Sequence, residues 1–167
     1  MYITRSQKLR YRKAGYDTIR AFVDASHASE EKKRSCSGFV IFHGQNLVHW
    51  GTKLQSLVAP STTVAEIFAL ADSLDDILTL KYIIEEIHPT DEPAITYEDN
   101  ISALRTLDGG NTKRMRYALI KAHFVRDAIE LGLIKLHSVS TEFQLADPLT
   151  KSQNPSTFQR FMHILFN

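Results

Sequence analysis

Three β-prone runs stand together ahead of the first helical pattern, and beyond it strands and helices alternate to the end of the chain. That order predicts an α/β domain in which a hairpin precedes the strand–helix units. The first run, Thr18 to Ala25 (TIRAFVDA), is β-branched and aromatic but ends in Asp24, where another apolar residue would pack better. An acid at the carboxyl end of a strand can project into the crevice where open α/β sheets hold ligands, although a turn or cap would also use an aspartate there. After the polar stretch Ser26 to Arg34 come Ser35 to His43 (SCSGFVIFH), a tight polar turn at Gly44 to Asn46, and Leu47 to Lys53 (LVHWGTK). These read as a strand, a hairpin and a strand.

Ser61, Thr62 and Thr63 offer N-caps to a helical pattern running to about Ile87, with Pro60 before it and Pro89 after it. Counting from Glu66 by threes and fours gives Leu70, Leu74 and Ile77, so this acid lies on the line that should face the sheet. A carboxylate there is costly unless something compensates it, by an edge position, the helix dipole or a bound partner. Ala94 to Asn100 (AITYEDN) repeats the opening pattern, with Asp99 ending a strand and Ile101, Leu104 and Leu107 on one side of a short helix. Gly109 and Gly110 break the chain, a helix is expected from about Asn111 to Leu131, and Leu133 to Ser140 is a further strand. Asp147 immediately precedes Pro148, the pattern of an N-cap with proline at the first helical position.

In the helix ending at Leu131, Met115, Ala118, Leu119, Ala122, Val125 and Ile129 make one apolar stripe, and Tyr117, Ile120 and Phe124 make a second on the opposite side. Two apolar sides call for two covers. One is the sheet; the expected second is the C-terminal helix Phe158 to Phe166, the alternative being a neighbouring domain.

With 167 residues the chain suits one domain. Residues 1–15 read as a tail or linker cut from a longer polypeptide, and Met1 to Lys13 lacks the apolar core of a signal peptide. No run approaches the roughly 20 apolar residues of a membrane helix. The single cysteine, Cys36, cannot form an internal disulfide, which fits a reducing compartment. A net charge of +1 provides no strong global field toward nucleic acid.

Asp24, Glu66, Asp99 and Asp147 each have a bland reading alone, but together they describe carboxylates converging on one crevice. Such a group repels itself and stays partly protonated unless a cation neutralises it. Hard carboxylate oxygens without His or Cys ligands suit Mg²⁺ or Mn²⁺. Two such ions about 4 Å apart would activate a water and stabilise the leaving oxygen of a phosphodiester.

At this point the chain resembles ribonuclease H, specifically the ribonuclease H domain of the Pol polyprotein of Ty1/copia-type LTR retrotransposons. The resemblance runs through FVDASHA (Phe22 to Ala28), SGFVIFHGQNLVHWGTKLQ (Ser37 to Gln55), STTVAEIFAL (Ser61 to Leu70), YEDNISAL (Tyr97 to Leu104), HFVRDAIELGLIKLHSVST (His123 to Thr141) and QLADPLTK (Gln144 to Lys151). It covers roughly residues 16–151, leaving 152–167 as a C-terminal helical extension. The resemblance implies a ribonuclease H-like fold: a five-stranded mixed sheet in the order 3-2-1-4-5, strands one to three antiparallel, four and five parallel to strand one, with helices on both faces.

It also implies hydrolysis of the RNA strand of RNA/DNA hybrids, leaving 3′-hydroxyl and 5′-phosphate ends, with two Mg²⁺ or Mn²⁺ ions on Asp24, Glu66, Asp99 and Asp147. Reverse transcriptase of the same polyprotein is the implied partner, Tyr117, Ile120 and Phe124 a polymerase contact, and the virus-like particle in the cytoplasm, or the nucleus, the location. Ser26, Ser61, Thr62 and Asn100 adjoin the acids and can hydrogen-bond sugar or phosphate. Two positions depart from the family: Val64 stands where a second Glu is common, and Arg116 to Leu119 replaces a Lys-His-Ile-Asp segment. A catalytically silent binding module and a DNA-processing relative of the same fold are the alternatives. Four retained acids oppose the first, and Asp147 with its ADPLTK context opposes the second.

Overall fold

The structure, a computed structural model, describes residues 8–13, 18–27, 34–109 and 118–166. Strands β1 (Ile19–Ser26), β2 (Cys36–His43), β3 (Asn46–Leu54), β4 (Ala94–Glu98) and β5 (Ile134–Ser138) form one sheet in the order β3-β2-β1-β4-β5. β1 to β3 pair antiparallel, and β4 and β5 run parallel to β1. Among the described residues the α-helices are α1 (Thr62–Ile87), α2 (Ile101–Leu107), α3 (Leu119–Glu130), α4 (Asp147–Thr150) and α5 (Pro155–Phe166). This is the mixed α/β architecture expected from the sequence. The β2–β3 turn closes with His43 opposite Asn46 and Gly44 at φ 59°, a left-handed conformation that glycine adopts without Cβ strain.

Strand alternation divides the core in two. Ile19, Ala21, Val23 and Ala25 of β1 pack with α1, α2 and α3, whereas Phe22 of β1 joins Val40, Phe42 and Leu47 on the opposite face with Leu145, Ala146 and Phe161. Ser61 caps α1 by accepting from the Val64 backbone N–H at 3.3 Å. Leu70, Leu74 and Ile77 are buried, and Glu66 is carried inside with them.

Three expectations are corrected. The second stripe of α3 is not covered by the C-terminal helix: Ile120 is 85 % exposed and Phe124 42 %. α5 instead inserts Phe161 into the opposite core. The physical reason is that α1, α2 and α3 all occupy one face, leaving the apolar side chains of β1 to β3 on the other in need of cover. In α2 the inward residues are Ala103 and Leu107, one turn apart, and Ile101 is exposed. Asp147 is not an N-cap; Ala146 holds that position without a side-chain bond, and Asp147 is the first helical residue of α4. The predicted start of the third helix, with Met115, Arg116 and Tyr117, lies outside the described residues. Residues 8–13, expected as part of a tail, lie along the hairpin: Asn46 exchanges two hydrogen bonds with the Arg12 backbone, at 2.7 and 2.8 Å, and Leu9 packs on the second core.

Gly38 pairs with Asp24 across β1 and β2 and lets α4 lie close to the sheet. A Cβ built there would stand 2.6 Å from Thr150 Cγ2 and 3.0 Å from Leu149 Cβ. Gly38→Ala is therefore expected to push α4 off its seat and destabilise the fold by about 1–3 kcal/mol. The check is a denaturant midpoint, and an unchanged midpoint would show that α4 is not held by this contact.

Candidate active site

β1, β4 and α1 deliver their acids to one end of the sheet. Asp24 lies near the carboxyl end of β1, Asp99 follows directly on β4, and Glu66 projects from the first turns of α1. Carboxylate oxygens of these three residues all lie within 4.8 Å of one another. Asp24 is fully buried, Glu66 nearly so and Asp99 half-buried.

α4 supplies the rest. Gln144, fully buried just before it, donates from Nε2 to the Val23 carbonyl at 2.8 Å and so ties this segment to the strand carrying Asp24. Thr150 Oγ1 donates to Asp24 Oδ2. Lys151 Nζ lies 3.2 Å from Asp24 Oδ1 and 2.7 Å from Asp147 Oδ1, while Gln153 donates to Asp147 Oδ2. Asp147 is thus linked to Asp24 through a shared lysine, and its carboxylate accepts from Lys151 and Gln153 instead of capping the helix; it is not one of the three acids that meet within 4.8 Å.

Glu98 is a fifth carboxylate that reading the sequence missed. It is fully buried, its Oε1 accepts from the Asn100 backbone N–H at 2.9 Å, and its Oε2 has no hydrogen-bond partner. The signal was present: Ala94, Thr96 and Glu98 alternate inward along β4, and the two-residue period placed Glu98, adjacent to Asp99, on the α1 side. Lys151 was legible by its spacing, four residues after Asp147, although it is the extended C-cap of α4 and not a helical residue.

Burial dominates the electrostatics. It raises the Glu66 carboxyl to about 10, with further contributions from Glu98, Asp24 and Asp99. It raises Glu98 to about 8 against the opposing Asn100 hydrogen bond. Asp24 is also raised by burial, with Thr150 and Lys151 pulling it back. For Lys151 burial acts downward, but Asp147 and Asp24 outweigh it and the ammonium is held more firmly than usual. A buried acidic group with an unpartnered Glu66 Oε2 is the environment a divalent cation relieves, and an all-oxygen donor set fits Mg²⁺ or Mn²⁺.

The remaining residues singled out from sequence border this site. Ser26 ends β1, Thr62 opens α1, and both Ser61 and Asn100 are N-caps, Asn100 accepting from the Ala103 N–H at 3.0 Å.

Sheet order, helices on both faces and acids gathered at the carboxyl ends of β1 and β4 define a ribonuclease H-like domain. The chain shares this fold with LC11 RNase H1 isolated from compost, at TM-score 0.62 and 19 % identity over 81 % of this chain and 94 % of that one. The same enzyme solved with an RNA/DNA hybrid aligns at TM-score 0.57 and 20 % identity, covering 80 % and 94 %. The foamy virus protease-reverse transcriptase aligns at TM-score 0.52 and 12 % identity, over 96 % of this chain and 22 % of that one. By sequence the chain is similar to a segment of the Ty1/copia-type Pol polyproteins. It is 30 % identical over 149 residues to the Retrovirus-related Pol polyprotein from transposon RE1 of Arabidopsis thaliana, covering 86 % of this chain. It is 25 % identical over 141 residues to the Ty1-JR1 Gag-Pol polyprotein of Saccharomyces cerevisiae, covering 83 %. The chain spans about a tenth of the length of these relatives, 10 % and 8 % respectively. No protein-family model matches it.

Proposed function

We propose that this domain hydrolyses the RNA strand of RNA/DNA hybrids, using Mg²⁺ or Mn²⁺ held by Asp24, Glu66, Asp99 and Asp147. The observation that carries this reading is the meeting of Asp24, Glu66 and Asp99 within 4.8 Å, on a ribonuclease H-like fold. A pair of divalent cations bound there supplies a hydroxide at neutral pH and stabilises the leaving oxygen of a phosphodiester. Asp24 is oriented for this by Thr150, and Glu66 offers an oxygen with no competing partner. Asp99 stands at the half-buried mouth, where a backbone phosphate can approach.

Recognition must read the 2′-hydroxyl, which distinguishes RNA from DNA at a site. Ser26 and Thr62 supply hydroxyls at the rim, Ser61 can donate while it caps α1, and the Asn100 amide retains N–H donors for phosphate.

Reverse transcriptase is the proposed partner. A net charge of +1 supplies little of the phosphate attraction on which nucleic-acid affinity depends, so the isolated domain is expected to bind its hybrid weakly. Tethering to the polymerase portion should improve KM at least tenfold. Exposed Ile120 and Phe124 are the proposed contact, with Tyr117 outside the described residues. Ile120→Glu with Phe124→Glu should remove the tethering gain and leave the isolated domain unchanged. Equal activity with and without the polymerase portion would remove this partner from the proposal.

The test of the function is cleavage of a labelled RNA strand within a hybrid, in Mg²⁺ and in Mn²⁺. Cleavage confined to the RNA strand is the expected result. A folded protein that binds the hybrid and cleaves with neither ion would instead be a silent binding module.

A further inference from the structure

The two sides of the acid cluster differ in how they are neutralised. On one side Glu66 Oε2 has no partner. On the other, every oxygen of Asp24 and Asp147 accepts from the α4 segment: Thr150 and Lys151 serve Asp24, and Lys151 and Gln153 serve Asp147. The Lys151 ammonium therefore stands between two carboxylates, at 3.2 and 2.7 Å, as a bound cation would. Its side chain is 41 % exposed, so the chain reaches in from solvent and can swing back out, unlike the buried acids it joins.

We propose that Lys151 is a tethered cation that fills the Asp24–Asp147 side of the site and gives way when a divalent ion binds there. This rests on the metal-site reading given above. Two consequences follow from charge alone. An ion entering at Asp24, Glu66 and Asp99 meets Lys151 only through Asp24, finds Glu66 Oε2 without a partner, and binds first. An ion that uses Asp147 must displace a positive charge already making two charge-assisted hydrogen bonds, and binds more weakly. Lys151 is then a positioning residue: it holds Asp147 against Asp24 while the second ion is absent and sets the concentration at which that ion enters.

The experiment is a Mn²⁺ titration of the whole chain, with free ion read by electron paramagnetic resonance, comparing wild type with Lys151→Met, Lys151→Gln, Lys151→Arg and Asp147→Asn. Wild type is expected to bind one tighter and one weaker ion. Both uncharged variants should tighten the weaker ion about tenfold or more, since its competitor is gone, while the tighter ion changes little and the apo protein melts at lower temperature. Lys151→Arg should behave like wild type, and Asp147→Asn should lose the weaker ion alone. If both uncharged variants bind the second ion as wild type does, or more weakly, Lys151 is not its competitor and the proposal is overturned while the metal site stands. If wild type binds no Mn²⁺, the metal-site reading fails and the proposal with it. Hybrid cleavage is measured separately, so its absence bears on the proposed function and not on this competition.

Discussion

Asp99→Asn is expected to reduce hybrid cleavage by about 10³-fold, equivalent to roughly 4 kcal/mol of transition-state stabilisation, while the apo protein becomes more stable. The two effects share one cause. Asp99 is half-buried in the turn between β4 and α2, so the amide fits its place without disturbing a core. What changes is charge: Asp99 raises both Glu66 and Glu98, and its removal relieves two buried acids that carry negative charge with difficulty. The same removal strips one anionic oxygen from the group within 4.8 Å that is proposed to hold the ion. The measurements are single-turnover cleavage and the thermal midpoint in chelator. Activity within tenfold of wild type would place the chemistry elsewhere, whatever the midpoint did.

The second large effect concerns pH and metal together. Folded Glu66 and Glu98 titrate at about 10 and about 8, against an ordinary value of 4.5. As pH rises above 4.5 the unfolded chain releases these protons first, and the native state binds more protons than the unfolded one. Unfolding free energy therefore falls with pH, from full stability below 4.5 through losses that end near 8 for Glu98 and near 10 for Glu66. Asp24, also raised, adds to the same slope. Lys151 does not, because its ammonium keeps its proton in both states throughout this window. In chelator the loss between pH 5.5 and 8 should be on the order of a few kcal/mol.

Divalent metal reverses the sign of the problem, since the charged carboxylates become its ligands. At pH 8, Mg²⁺ at about 100 times its dissociation constant should restore roughly 2.7 kcal/mol. Glu98→Gln should flatten the slope without metal, because its neutral amide fills a site where a buried charge is costly. Denaturant midpoints at the two pH values, with chelator and with Mg²⁺, decide the matter. A midpoint independent of pH in chelator would mean that solvent or structural relaxation screens these acids.

Period and spacing in the chain carried most of the architecture. The alternation of TIRAFVDA and AITYEDN put strands where they are, and the three-and-four spacing of Glu66, Leu70, Leu74 and Ile77 brought an acid inside with an apolar face. Strand-end acids, a buried helix acid and an acid opening the last helical segment were readable for the same reason: each is a statement about one element and its own neighbours. The misreadings concern meetings between elements. Asp147 looked like a cap because Pro148 follows it, and only the approach of α4 to β1 gives its carboxylate Lys151 and, through that lysine, Asp24 as company. The C-terminal helix was matched to the exposed stripe of α3, yet the greater need for cover lay on the opposite face of the sheet, around Phe22 and Phe42.

What the sequence by itself determined, then, is which side chains share a face and which strands end in acids, because local periodicity and short-range sterics decide those. What only the tertiary structure decided is which faces meet. The contacts of Thr150 and Lys151 with Asp24 join residues more than a hundred positions apart. Their existence depends on the absence of a Cβ at Gly38, on the Gln144 bond to Val23, and on how two apolar faces of one sheet divide the helices between them. Such pairings are set by the total burial of the fold and by the room available at each contact, quantities that no single stretch of chain contains.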